Sequence, residues 1–315
     1  MSKLQIYSEK STDLLFKSFA ELAAQGEHLE PMKRLFGDYV FNESLIHFPS
    51  ERGTGKTMLN LQLCLAISSG WDSFLGEPIE KHGNTLLINL ELHESVMKRR
   101  LFQLSQDPPM ALNQEEYKAF LFTTRAGLVN EIDKIKSFID IHKPIYITLD
   151  NYRMAFIGSD SNSNRDASLA INELLKLKDT HNTTLVITDH TRKNTRSVLT
   201  ESDLQSGAGA KSDLMDGDLF LRRSSQGENL RILKRSKSRY CGEHKGAKLI
   251  KLNPDTLWFE LVEENVNEED HIGERSLMVS EKRNIAEDLR EKGKTVEQIA
   301  SILNVSKSTI SRWTS

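Results

Sequence analysis

Apolar residues along the first two thirds of the chain fall in two alternating rhythms. Short unbroken runs of strand length occur at Ser44–Phe48, Asn84–Leu90, Ala119–Thr123, Pro144–Asp150 and Thr184–His190. Between them lie longer stretches with apolar positions three and four apart, at Met58–Ile67, His93–Leu104, Val129–His142 and 166–179. The first set predicts buried strands and the second predicts helices. Their alternation predicts an α/β fold with a parallel, doubly wound sheet. From Asp218 the helical period disappears. Asp218–Arg222, Asn229–Lys234, Ala247–Leu252 and Leu257–Val262 alternate apolar with polar residues, with turn residues between them. They predict antiparallel strands that extend the sheet. In sheets of this kind ligands bind at the carboxyl ends of the parallel strands.

Two helical regions fall outside this plan. Residues Ser11–Ala24 place Leu14, Leu15, Phe16, Phe19, Leu22 and Ala23 at helical spacing, with Ser11 or Thr12 as N-cap. Such a helix either packs on its own domain or docks on a neighbouring subunit. At the other end, Glu263–Glu274 is acidic and poor in aromatics, which reads as a solvated linker. Beyond it Ile285, Ala286 and Leu289 line one helical face, and Lys292-Gly-Lys294 breaks that helix. Thr295 caps a second helix bearing Val296, Ile299, Ala300 and Leu303. Asn304-Val-Ser306 makes a turn with Val305 inward, and Ile310 and Trp313 point inward from a third helix. This spacing predicts a small all-α helix-turn-helix, with Ala300 allowing a close crossing. Lys307, Ser308, Thr309, Ser311 and Arg312 are expected to face out, where they can meet phosphates and base edges. The division that follows is a helical segment at 1–30, an α/β domain at 31–262, a linker at 263–275 and a helix-turn-helix at 276–315.

Composition narrows this picture only slightly. Hydrophobic content of 38% beside 28% charged residues supports a substantial core in a chain of 315 residues. A formal net charge of −3 argues against a uniformly basic nucleic-acid coat and leaves local basic patches open. The two cysteines, Cys64 and Cys241, have neither metal-ligand nor disulfide spacing. Cys64 falls on the apolar face after the first strand. The N-terminus has no apolar signal region and no run reaches membrane-spanning length, so the expectation is a cytoplasmic protein without membrane contact.

The candidate chemistry starts at Ser50-Glu-Arg-Gly-Thr-Gly-Lys-Thr-Met58, between the first strand and its helix. A glycine-bearing loop that opens a helix with Lys-Thr is a phosphate-binding loop. Gly53 and Gly55 let backbone N–H groups turn toward an anion, and the helix N-terminus adds partial positive charge. Lys56 is expected to reach the β- and γ-phosphates of ATP, and Thr57 to hold Mg²⁺. Ser50 stands where the pattern has its first glycine, which requires a negative φ there. Asp150, at the end of a later strand, is the candidate second Mg²⁺ carboxylate. Glu91 ends another strand and can polarise the attacking water, with Glu94 as its rival. His190 ends a third and serves either as a γ-phosphate sensor or as a structural residue. Arg239, in the basic run Leu233–Tyr240, is either a solvated strand end or a guanidinium donated across a subunit interface.

Taken together these residues resemble the RecA-fold ATPases, and most closely the RepA-like branch of hexameric replicative DNA helicases. The resemblance covers about Pro31 to Val262. It rests on the phosphate loop, on Leu86–Glu91 followed by Lys98-Arg-Arg-Leu101, on Ile147–Asp150 with the Asp160–Asn164 loop, and on Thr188-Asp-His-Thr-Arg-Lys193. Lys234–Arg239 looks like the family's Lys-x-Arg element. The resemblance implies that Glu91 is the catalytic base, that Lys237 and Arg239 act in trans in a homo-oligomeric ring, expected to be hexameric, and that core loops contact single-stranded DNA. Those loops are Tyr152–Arg165 and Thr191–Lys211, the second holding Arg192, Lys193, Arg196 and Lys211. Leu92 departs from the close relatives, which often have a second acid there. The C-terminal unit resembles the resolvase and homeodomain-like DNA readers and would add duplex binding. The expectation is an ATP- and Mg²⁺-dependent DNA helicase or translocase of a plasmid or mobile element. The competing readings are an ATP-switched DNA-binding regulator and a nucleotide-binding protein whose tail binds protein.

Overall fold

The computed structural model describes residues 18–26, 29–156, 164–190, 214–242, 246–271, 274–303 and 305–314. The chain divides into two compact units, Met1–Lys33 and Arg34–Ser315. The first contains helix α1 (Phe19–Gly26), none of whose residues is buried. A capping box starts it: Ser18 N donates to Glu21 Oε2 at 2.7 Å and Glu21 N donates to Ser18 Oγ at 3.2 Å. The caps expected at Ser11 or Thr12 lie outside the described residues.

The second unit is built on β3 (Leu45–Ser50), α2 (Lys56–Ser68), β6 (Thr85–Asn89), α3 (Glu94–Gln106), β7 (Ala119–Thr123), α4 (Leu128–His142), β8 (Tyr146–Asp150), the short α5 (Tyr152–Ala155), α6 (Asn164–His181) and β9 (Thr184–His190). Then come β10 (Gly217–Arg223), β11 (Leu230–Ser238), β12 (Ala247–Leu252) and β13 (Phe259–Val266). Two small hairpins, β1–β2 (Arg34–Phe36, Val40–Phe41) and β4–β5 (Ser73–Phe74, Glu77–Pro78), complete it. Among the described residues the main sheet has nine strands in the order β13-β12-β11-β10-β3-β9-β8-β6-β7. Pairings from β10 through β7 are parallel, and those among β10, β11, β12 and β13 are antiparallel. This is the mostly parallel α/β sheet with antiparallel extension that the hydrophobic pattern predicts, and it is consistent with the RecA-like core that the resemblance implies.

Alternation along the central strands builds both sides. On β9, Val186 joins the apolar cluster with α2 and α3, whereas Leu185 and Ile187 join the cluster with α4 and α6. Tyr146 and Ile147 divide the same way on β8. Helix α2 is buried from Met58 through Ser68, not along one face only. Most of its buried polar atoms are paired, although Asn60 Nδ2 has no hydrogen-bond partner among the described residues. Asn60 Oδ1 accepts from Tyr146 OH at 3.0 Å, and Gln62 bridges Leu257 O and Phe259 N at 2.7 and 2.9 Å. Cys64 is a core residue, its thiol pushed up to about 12 by burial.

Three expectations change. The acidic stretch after Val262 is not wholly a solvated linker. Strand β13 runs to Val266, and a 3-10 turn over Glu268–His271 follows. There Glu268 pairs with Arg222 and Lys234 at 3.2 and 2.9 Å, and buried His271 meets Ser224 Oγ at 3.0 Å. An acid-rich segment becomes ordered because the strand edge beside it is basic. Second, the loop expected from Tyr152 begins as a helical turn, with Tyr152 and Ala155 buried, so neither is available as a channel-facing loop side chain. Third, Ile285, expected on the inner face of its helix, is 46% exposed.

The C-terminal helices are α7 (Glu274–Glu291), α8 (Val296–Leu303) and α9 (Lys307–Trp313). Ala286, Ile299, Ala300, Leu303, Ile310 and Trp313 form their own apolar cluster, with Leu289, Val296 and Val305 packed against it. Ser306 caps α9 by accepting from Thr309 N at 3.2 Å. Among the described residues no helix is long and apolar enough to cross a membrane.

Candidate nucleotide-binding and hydrolysis site

Register brings the candidate residues level. Ser50 at the end of β3 lies opposite His190 on β9, and Asn89 at the end of β6 lies opposite Asp150 on β8. The carboxyl ends of these strands form one rim, and the phosphate loop rises from it.

The loop's backbone explains its glycines. Gly53 and Gly55 have φ of +71° and +107°, a region that side chains disfavour. A Cβ on Gly55 would also stand 2.7 Å from the Phe259 ring. Ser50 does not adopt positive φ, which answers the departure at that position. Its hydroxyl lies 2.7 Å from Thr54 Oγ1, and Thr54 Oγ1 donates to Glu51 O at 3.0 Å, so the loop is tied internally. Two guanidiniums hold it from outside. Arg223 Nη2 donates to Gly53 O at 3.0 Å and Arg231 Nε donates to Thr54 O at 2.8 Å. The two arginines are direct cross-strand partners on β10 and β11. Burial lowers the Arg231 pKa, and the charge of Arg223 adds to that.

Lys56 begins α2 with its ammonium on the loop's own carbonyls, Ser50 O at 2.8 Å and Glu51 O at 3.0 Å. Burial lowers its pKa to about 8, against the fields of Asp150, Asp189, Glu91 and Glu51. Its third neighbour is His190 Nδ1 at 3.4 Å. An ammonium has only donors, so this approach makes Nδ1 the acceptor and assigns the ring proton to Nε2. That nitrogen faces Glu91 Oε2 at 3.6 Å.

Thr57 Oγ1 donates to Asp150 Oδ2 at 2.5 Å, and Thr188 Oγ1 donates to Asp150 Oδ1 at 2.7 Å. A hydroxyl and a carboxylate in contact, beside a helix N-terminus, are hard oxygen donors suited to Mg²⁺. The residues therefore fit the cation that a phosphate loop implies, and Thr57 and Asp150 would be its protein donors.

Glu91 is brought to the centre and Glu94 is not. Glu94 pairs with Lys98 at 2.8 Å on the exposed side of α3. Glu91 Oε2 accepts from Asn151 Nδ2 at 2.6 Å. Its pKa is lowered first by His190, with Asn151 and Lys56 adding to the effect and burial opposing it. Asn89 shapes the turn that carries Glu91: its Oδ1 accepts from Leu92 N at 2.9 Å and its Nδ2 donates to Leu92 O at 2.7 Å. Arg100, from the basic run on α3, is half-buried within the fields of Asp150 and Glu91, with no hydrogen-bonding partner among the described residues. Burial lowers its pKa. A desolvated guanidinium near two carboxylates is a ready partner for a phosphoryl group.

The sequence reading missed Asn89, Arg100, Asn151, Thr188, Arg223 and Arg231. Only Arg100 carried a signal, the basic run after Glu91. Arg52 is exposed in the loop and Met58 is buried beneath it.

Arg239 stands apart from this rim. Its guanidinium lies 3.5 Å from Asp216 Oδ1, and its N–H donates to Asp216 O at 2.8 Å. Asp216 precedes β10, whose first residue, Gly217, pairs with Ile46, whereas Leu221 pairs with Ser50. Four residues of strand, roughly 13 Å, separate that end from the phosphate loop. Lys237 lies on β11 opposite Asp218. Arg192, Lys193, Arg196 and Lys211 lie outside the described residues. On α9, Lys307, Ser308, Ser311 and Arg312 are exposed, while Thr309 is half-buried with its hydroxyl 2.8 Å from Ser306 Oγ.

A family model described as an AAA domain matches residues 11–196, more than half of the chain, and one described as a helix-turn-helix domain matches residues 276–312. The chain has no match among curated proteins.

Proposed function

The chain belongs to the AAA domain family, and on that premise we propose that it is an ATP-hydrolysing, DNA-binding motor, a RepA-like hexameric helicase or translocase of a plasmid or mobile element. One observation carries the reading: at the carboxyl rim of the sheet His190 stands between Lys56 and Glu91, and Asn151 donates to Glu91. In it Lys56 and the loop N–H groups hold the polyphosphate. Glu91, ionised and oriented by Asn151, accepts a proton from the attacking water. His190 relays the state of the γ-phosphate between Lys56 and Glu91. Thr57 and Asp150 would hold Mg²⁺, which would supply positive charge to the polyphosphate. Arg239 lies at the far end of β10 from its own loop, which supports action on a neighbour's nucleotide together with Lys237, and hence a ring. DNA contact through Arg192, Lys193, Arg196 and Lys211 rests on the RepA-like resemblance. Duplex contact through Lys307, Ser308, Thr309, Ser311 and Arg312 rests on the helix-turn-helix match.

A strand-displacement assay tests this. ATP-dependent unwinding that is lost in Lys56→Ala supports the motor. Turnover stimulated by single strands without displacement overturns it in favour of an ATP-switched DNA-binding regulator.

A further inference from the structure

His47 lies on the strand that carries the phosphate loop and is 2% exposed. The flanking strands present a carboxylate to each of its ring nitrogens. Asp189 Oδ2 on β9 is 3.9 Å from Nε2, and Asp218 Oδ1 on β10 is 3.4 Å from Nδ1. Both aspartates are buried. Among the described residues neither ring nitrogen makes a hydrogen bond in this geometry, so what ties the ring to both carboxylates is charge, which the imidazolium has and the neutral ring lacks. Burial pulls the pKa of His47 down, yet the two aspartates outweigh it and the net direction is up. Among the described residues no other charged group contributes to that shift. The group is therefore a buried Asp–His–Asp line across three adjacent strands.

Its far end reaches the hydrolysis site. Asp189 Oδ1 accepts from the backbone N–H of His190 at 2.8 Å. One carboxylate thus faces the buried imidazole with one oxygen and fixes the end of β9 with the other. His190 lies there, between Lys56 and Glu91. Stability alone is a poor reason for the arrangement, because buried ionic groups are often replaced by apolar residues without loss.

We propose that His47 is a positioning residue for ATP hydrolysis: it holds Asp189, and through Asp189 it fixes His190 in line between Lys56 and Glu91. This rests on the ATPase reading above. Asp218, on β10, completes the line from the other side of the ring.

The test compares His47→Gln, His190→Gln and the double variant, in the full chain, by kcat and KM for ATP. Expected is a fall in kcat of about tenfold for His47→Gln at unchanged KM, with no further fall when His190 is already replaced. Full turnover in a folded His47→Gln, or the same loss with and without His190, makes His47 a core residue only and overturns the proposal. Should His47→Gln fail to fold, imidazole nitrogen spectra of the intact protein decide. Two protonated nitrogens at neutral pH, one of them lost in Asp218→Asn, support the line; a neutral ring in the wild type overturns it. Absent turnover in the wild type itself would instead strike the ATPase reading.

Discussion

Thr57 gives its hydroxyl proton to Asp150 Oδ2 across 2.5 Å, while Thr188 occupies the other oxygen of the same carboxylate. The Thr188 contact orients the carboxylate without competing for the face that Thr57 shares. Thr188→Val keeps the shape and removes that donor. It should raise the Mg²⁺ concentration needed for half-maximal ATP turnover by about tenfold to a hundredfold, as loss of a partner behind a metal ligand lowers metal affinity. Titrating turnover with Mg²⁺ at fixed ATP checks this, and an unchanged midpoint would remove Thr188 from the site.

Lys56 makes the site sensitive to mild alkali. Its folded-state pKa, about 8, lies below its ordinary value of 10.5, chiefly through burial. The folded protein therefore binds fewer protons than the unfolded chain between those values, and this group's contribution to stability rises with pH across that window. Nucleotide affinity runs the opposite way, because the polyphosphate needs the ammonium. Near pH 8 binding should take up part of a proton, and above it affinity should fall by up to about tenfold per pH unit. Calorimetry in buffers of different ionisation enthalpy measures that uptake, and Lys56→Met should abolish it.

The order of elements was legible because strand and helix periods are strong in this chain, and β7, β9 and β12 fall at the residues expected. The phosphate loop was legible because its chemistry is local. Residues that act across strands were not. Asn151 and Thr188 are ordinary polar residues in sequence, and only strand register puts them against Glu91 and Asp150. Arg223 and Arg231 look like solvated strand charges until the antiparallel pairing carries them over Gly53 and Thr54. Glu268 looked like linker because its partners, Arg222 and Lys234, are far away along the chain.

Asn151 links two jobs in one side chain. Its Nδ2 donates to Glu91, and its Oδ1 accepts from Met154 N at 3.1 Å to cap α5. Asn151→Asp keeps the cap and replaces the donor with a second carboxylate. Glu91 then loses one of the groups that lower its pKa. The acid limb of the pH–rate profile should move upward, and kcat should fall by roughly a hundredfold, within the range general-base contributions span. Binding of ATP should change little, and a profile identical to the wild type would contradict the role given to Asn151.

Lys307 and Arg312 lie exposed on α9, with Lys307 3.2 Å from Glu297. An exposed pair of this kind contributes little to stability, so Lys307→Ala should leave the three-helix cluster folded. If α9 meets duplex DNA, the double variant Lys307→Ala/Arg312→Ala should lose affinity across all sequences. It should also flatten the slope of log K against log salt by about 1 to 2. Binding isotherms at several salt concentrations read both effects.

Arg239 offers the sharpest test of assembly. It rests on Asp216 at the opposite end of β10 from its own phosphate loop, so the catalytic role proposed for it is on a second copy's nucleotide. Arg239→Ala should lower turnover by about a thousandfold or more, the range for guanidiniums supplied across an interface, and Lys56→Ala should abolish it. The two proteins mixed should recover part of the activity. Junctions form in which the intact Lys56 of one copy meets the intact Arg239 of the other. A mixture no more active than its components would mean that Arg239 works within its own chain or not at all, and the ring would lose its main support.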